Sequence, residues 1–156
     1  MNRETKKILA EILLISIVCS YNKMFIFAFI WVFLHEIAHI LIALKYGCKF
    51  YNIGFHIFGL NAELSEINTL KDKEKIAVYV AGALFNIISA FTLYLISFKY
   101  KNTFIETGIS LNIGLAFFNL LPAYPLDGSR ILEIVLSKRI LFKKAQRIIS
   151  IISLNI

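Results

Sequence analysis

The stretch MFIFAFIWVFLHEIAHILIAL, residues 24–44, decides how this chain is to be read. It is apolar over a length that can cross a hydrocarbon core of roughly 30 Å, which takes about 20 residues of helix. Three ionisable groups interrupt it: His35, Glu36 and His39. A carboxylate near the middle of such a helix costs about 2.5 to 3.5 kcal/mol on insertion scales, so an ionisable group there points to function. The spacing says which function. His35 and His39 stand one helical turn apart on one face, where two imidazoles can take adjacent corners of a zinc tetrahedron, and Glu36 beside them can act on a water at the metal. The pattern is H-E-x-x-H in full and uses two of the chain's three histidines. The other reading is a polar packing patch between helices, as found in membrane bundles, but such a patch has no need of the i, i+1, i+4 arrangement.

The rest of the chain suits the same apolar solvent. With 58% hydrophobic and 17% charged residues among 156, it is too apolar for an ordinary soluble domain. Residues 8–21, 76–98 and 104–121 are further apolar runs, the first of them short and carrying Glu11. The expected fold is an all-α polytopic membrane protein with about four transmembrane helices. It forms one domain over residues 1–156, with a helical tail over about 129–156. Arg3, Lys6 and Lys7 ahead of the first run also suit a signal peptide, but no small-x-small cleavage site follows. Cys19 and Cys48 lie far apart and fit neither a zinc ribbon nor a disulfide framework, so both read as buried apolar side chains.

A net charge of +7 can signal nucleic acid. Here the basic residues sort by membrane side instead. With four spans, 14 of the 17 Lys and Arg fall on the side holding the N-terminus, residues 45–75 and everything after Pro122; only Lys23, Lys99 and Lys101 fall on the other. By the positive-inside rule the N-terminus and the long connections are cytoplasmic, and the expected partner is the lipid bilayer, not nucleic acid.

Between the second and third spans, residues 48–64 are rich in aromatic and β-branched residues punctuated by Gly54 and Gly59, which suggests a short β-hairpin. If it lies against the membrane, its backbone groups must be paired or face water, and an open strand edge there could receive another extended chain. Residues 65–75 are polar and charged. His56, alone among aromatics in the hairpin, reads as structural, and Glu63 and Glu66 read as solvated charges.

Catalytic zinc usually takes three protein ligands and keeps one position open. Asp127 is the third candidate, in NLLPAYPLDG, residues 119–128. Pro122 and Pro125 stop regular helix, and Gly128 lets the backbone turn close to a neighbour. In the topology above, the C-terminal half of the second span and the end of the fourth both face the cytoplasm, so His39 and Asp127 can meet at similar depth. An ordinary Asp-Gly surface turn is the alternative taken alone. Glu133, further along, reads as a surface or supporting group.

His35-Glu36-x-x-His39 on an early span, paired with Asn119-x-x-Pro122 and Asp127-Gly128 at the end of a later one, resembles the site-2 proteases, the M50 family of intramembrane zinc metalloproteases. The resemblance covers about residues 8 to 135. It implies zinc bound by His35, His39 and Asp127, with Glu36 as catalytic base, in hydrolysis of a peptide bond of a membrane-associated protein. AGALFN, residues 81–86, looks like the family's Ala-Gly-Pro-x-x-Asn segment with Ala83 in place of the proline, a departure that questions a local kink there. Asn86 and Asn119 are candidates to orient substrate or stabilise an oxyanion, or equally to bond between helices. Within the family the run resembles the sporulation stage IV FB branch, whose members process a membrane-associated sigma-factor precursor. That implies a bacterial cytoplasmic membrane and either a minimal or a shortened member, supported by a regulatory partner or homo-oligomer. The rival expectation is a non-catalytic protease homologue acting as a membrane binding protein. A different membrane zincin would need a glutamate ligand on a later span, and Asp127 fits better.

Overall fold

Helix α1, Lys23–Lys45, carries the H-E-x-x-H face. In the computed structural model, which describes residues 23–56, 59–65 and 67–155, it is the first element; the expected span over 8–21 and Cys19 lie outside the described residues. α1 ends at Gly47, whose φ of 86° only glycine takes without strain. There the Cys48 N–H donates to the Ala43 carbonyl at 3.1 Å and the Gly47 N–H to Leu44 at 3.0 Å, closing the helix in a Schellman turn.

The chain then forms two antiparallel strands, β1 (Lys49–His56) and β2 (Gly59–Ser65), running in register from His56↔Gly59 to Lys49↔Ser65 with a shift between Phe50 and Asn52. The pair leans on α1, chiefly through β2. A 3₁₀ turn, Ile67–Thr69, leads into α2, Asp72–Ser97. This helix starts before the apolar run at residue 76 because its first turn is built from charge. The Lys71 N–H donates to Glu74 Oε2 at 2.9 Å, and Asp72 and Glu74 face the positive helix end. α2 continues unbroken through Ala83, where the family pattern has proline.

α3, Thr103–Asn119, is capped by Asn102, whose Oδ1 accepts the Phe104 N–H at 2.9 Å. Residues 120–126 then lead to α4 (Asp127–Ser137) and α5 (Phe142–Asn155). The tail expected over 129–156 is thus two helices, broken at residues 138–141. Among the described residues, two helices are long and apolar enough to cross a membrane, Met24–Lys45 and Asp72–Ser97. With 17 residues, α3 sits at the short end of the spanning range of about 17 to 25.

α2 lies between α1 and α3 and packs against both. Its inner face is made of small and polar residues, Ala81, Gly82, Ala83, Asn86 and Ala90, while Phe91, Tyr94 and Leu95 are exposed. Small residues let helix backbones approach where lipid removes the hydrophobic drive between helices. A compact apolar cluster of Ala43, Cys48 and Val78, joined by Ile42, Ile67 and Leu70, ties the start of β1 to α1 and α2.

Candidate metal centre

Three side chains from two distant parts of the chain, the second half of α1 and the start of α4, converge. His35 and His39, one turn apart on α1, are 3% and 9% exposed. Asp127, first residue of α4, is 20% exposed. His39 Nε2 lies 3.0 Å from His35 Nε2 and 3.2 Å from Asp127 Oδ2, and His35 Nε2 lies 3.3 Å from the same carboxylate oxygen. Corners of a tetrahedron standing about 2.0 to 2.1 Å from its centre are about 3.3 to 3.4 Å apart, so this triangle has the dimensions of a zinc site.

The protonation pattern fits a cation better than a proton. His39 Nδ1 donates to the Val78 carbonyl at 2.7 Å, which fixes its hydrogen there and leaves Nε2 a lone pair. One proton on His35 Nε2 serves one edge of the triangle at most, and the rest sets lone pairs against each other. A divalent cation satisfies all three at once. The Asp127 carboxylate faces both Nε2 atoms and completes the set as an oxygen donor.

Two glycines make the convergence sterically possible. A Cβ on Gly82 of α2 would sit 2.5 Å from His35 Nε2 and closer still to His39 Nε2, so both rings lie against bare backbone. A Cβ on Gly128 would sit 2.5 Å from the Leu121 carbonyl oxygen, because the start of α4 passes directly under the end of α3. The connecting loop is held from outside. The Tyr124 N–H donates to Ser153 Oγ of α5 at 2.7 Å, and the Arg130 guanidinium bonds Tyr124 Oη at 2.8 Å while lying 4.7 Å from its ring centroid.

Glu36 faces a cavity of 640 Å³ lined also by His35, Asn119, Tyr124 and Pro125. The Asn119 amide nitrogen donates back to the Leu115 carbonyl at 3.0 Å, so its side chain is held in place at the cavity wall. Asn86 stands apart: it is 0% exposed, does not line this cavity, and neither of its amide atoms has a partner among the described residues. Glu133 pairs with Arg130 at 3.6 Å, away from the triangle. The Val78 carbonyl, Gly82 and the Ser153 strut escaped the sequence reading. Gly82 alone had a signal, as the glycine of residues 81–83 on a span that must meet the H-E-x-x-H face.

Residues 100–156 match the family described as Peptidase family M50. The chain is 33% identical over 120 residues to Stage IV sporulation protein FB of Bacillus subtilis, a match covering 75% of this chain and 41% of that protein. It is 33% identical over 130 residues to a zinc metalloprotease of Methanocaldococcus jannaschii, covering 80% of this chain and 38% of that one. It thus spans about two fifths of the length of these curated relatives. The solved structure of a site-2 protease from Methanocaldococcus jannaschii superposes with a TM-score of 0.69 at 30% identity, covering 90% of this chain and 68% of that one.

Proposed function

Because the chain belongs to the site-2 proteases of peptidase family M50, we propose that it is an intramembrane zinc metalloendopeptidase cutting a membrane-associated protein near the cytoplasmic face. The observation that carries this reading is the buried triangle of His35 Nε2, His39 Nε2 and Asp127 Oδ2, with Glu36 in the adjoining cavity. His35, His39 and Asp127 would hold a zinc ion, which would supply a Lewis acid for the scissile carbonyl and for an attacking water. Glu36 accepts the proton of that water and delivers it to the leaving amine nitrogen. Asn119, fixed at the cavity wall, is the side chain suited to donate to the developing oxyanion. Val78 and Gly82 hold the imidazoles in place.

The substrate must present an unwound stretch, since a helix keeps its peptide carbonyls in i to i−4 bonds. The open edge of the β1–β2 pair, leaning on α1, suits an extended segment. Its chemistry is that of a membrane-associated regulatory protein, of which a sigma-factor precursor is one example. The excess of Lys and Arg on the side of residues 45–75 and of α4 and α5 supports a topology in which that side faces the cytoplasm, in this reading that of a bacterial cell. Four spans, the first over 8–21, and a regulatory membrane partner or second copy complete the reading.

Its test is a Glu36→Gln variant with a membrane-tethered reporter substrate. The variant is expected to stay folded and zinc-loaded while cleavage falls by about 10²- to 10⁴-fold, the size of general-base contributions. Cleavage at the wild-type rate would sink the mechanism.

A further inference from the structure

The two zinc-candidate imidazoles differ in what holds their far nitrogen. His39 Nδ1 donates to the Val78 carbonyl, whereas His35 Nδ1 is buried with no partner among the described residues. Metal-bound histidines almost always donate that second N–H to an acceptor, which fixes tautomer and ring orientation. A buried N–H left unpaired is costly, so a missing partner has to be sought nearby.

The same interior holds other unpaired polar atoms. Asn86 Nδ2 and Oδ1 on α2, Asn112 Oδ1 on α3 and Trp31 Nε1 on α1 are all buried without partners among the described residues. Asn86 and Asn112 are both 0% exposed. Helix register brings them together. Gly82 meets the His35 and His39 rings, and Asn86 is one turn further along the same face of α2. A helical side chain leans over the turn N-terminal to its own Cα, so Asn86 covers the Gly82 turn on which the His35 ring rests. On the third side, a Cβ on Gly108 would sit 2.9 Å from Leu93 and 3.3 Å from Phe27. One turn on from Gly108 is Asn112, one turn on from Phe27 is Trp31, and two turns back from Leu93 is Asn86. The Asn112 amide nitrogen is already bound to the Gly108 carbonyl at 2.8 Å, which aims its oxygen as an acceptor into this layer.

We propose that Asn86 is a positioning residue for the metal: together with Asn112 and Trp31 it holds one or more ordered waters that accept the His35 Nδ1 proton and lock that ring on the metal. The group has the balance this needs. Trp31, His35 and the Asn86 amide nitrogen donate, the Asn86 and Asn112 oxygens accept, and a buried water takes two to four such partners. This inference rests on the metal-site reading above and adds to it a supporting layer on the side away from the substrate cavity.

The test measures zinc affinity by chelator competition, and the visible spectrum after Co²⁺ substitution, on the detergent-purified chain. Wild type, Asn86→Leu, Asn86→Ser and Asn112→Leu are compared. Asn86→Leu is expected to weaken zinc about 10- to 100-fold, the usual loss when such a support is removed, and to shift the Co²⁺ bands. Circular dichroism and thermal melting of the zinc-free variant check that it is folded, so that a loss of zinc affinity reports on the site and not on unfolding. Asn86→Ser, which keeps a hydroxyl for the water, should recover most of the affinity. Asn112→Leu should weaken zinc in the same direction and decides the matter if Asn86→Leu does not fold. A folded Asn86→Leu with wild-type zinc affinity and an unchanged Co²⁺ spectrum would overturn the inference alone, as would unchanged affinity in Asn112→Leu. A wild-type protein that bound no zinc would overturn the metal centre and this inference together.

Discussion

The interior and the exterior of the helix bundle are made of opposite materials. Between α1, α2 and α3 lie alanines, glycines, two histidines and two asparagines, whereas the outward faces carry Phe91, Tyr94, Leu95, Ile113 and Phe117, the last 70% exposed. A protein folded in water would reverse this arrangement. Here the large apolar groups meet the solvent, the small ones let backbones touch, and ionisable groups sit inside where they face a ligand. The lesson is that the cost of a substitution depends on the face it falls on more than on its hydrophobicity.

Charge on the outer face should test that contrast hardest. Phe91→Arg, on the exposed face of the apolar part of α2, is expected to cost up to about 2.5 to 3.5 kcal/mol, the figure for a helix centre, seen as reduced membrane insertion and a lower melting temperature in mild detergent. Insertion equal to wild type would remove the lipid-facing assignment of that side. Inside, adding one methyl group should be nearly as damaging. Gly82→Ala pushes a carbon into both imidazoles and should weaken zinc binding by at least about tenfold, comparable to losing a supporting contact. Gly114→Ala, with nothing within 4 Å of the added carbon, should leave zinc binding untouched and serves as the control.

The loop that carries Asp127 gives an intermediate case. Ser153→Ala removes the acceptor of the Tyr124 N–H and should cost about 0.5 to 1.5 kcal/mol, read as a two- to tenfold drop in reporter cleavage with Glu36 intact. The smallest effect belongs to Phe91→Leu, which keeps the outer face apolar and should stay within about 0.5 kcal/mol of wild type. A larger loss there would mean that this face packs against protein.

Much of the site was legible because it is written in side chains. The H-E-x-x-H spacing puts two imidazoles on one helical face, and Pro122, Pro125 and Gly128 announce a turn that ends in Asp127. The apolar runs over 24–44, 76–98 and 104–121 fall within a few residues of the helices Lys23–Lys45, Asp72–Ser97 and Thr103–Asn119. The misplaced start of α2 has a physical cause: hydropathy ends at the charged residues 72–75, while the Glu74 cap extends the helix through them. What stayed hidden is carried by backbone or by distant neighbours. The Val78 carbonyl is a main-chain acceptor that no side chain announces. The break between α4 and α5 and the Ser153 strut depend on how the tail folds back on the loop. Asn86 looked equally suited to substrate and to helix pairing, and only its burial away from the cavity separates those roles.

Metal content tests the three-ligand site itself. Purified wild type, reconstituted with Zn²⁺ and freed of excess, is expected to hold one equivalent per chain. His35→Ala, His39→Ala and Asp127→Ala should each lose or greatly weaken it while remaining folded, because each removes one corner of a three-ligand site. Well-folded wild type that retains no zinc after reconstitution, or an Asp127→Ala variant that binds it as tightly as wild type, would contradict the account.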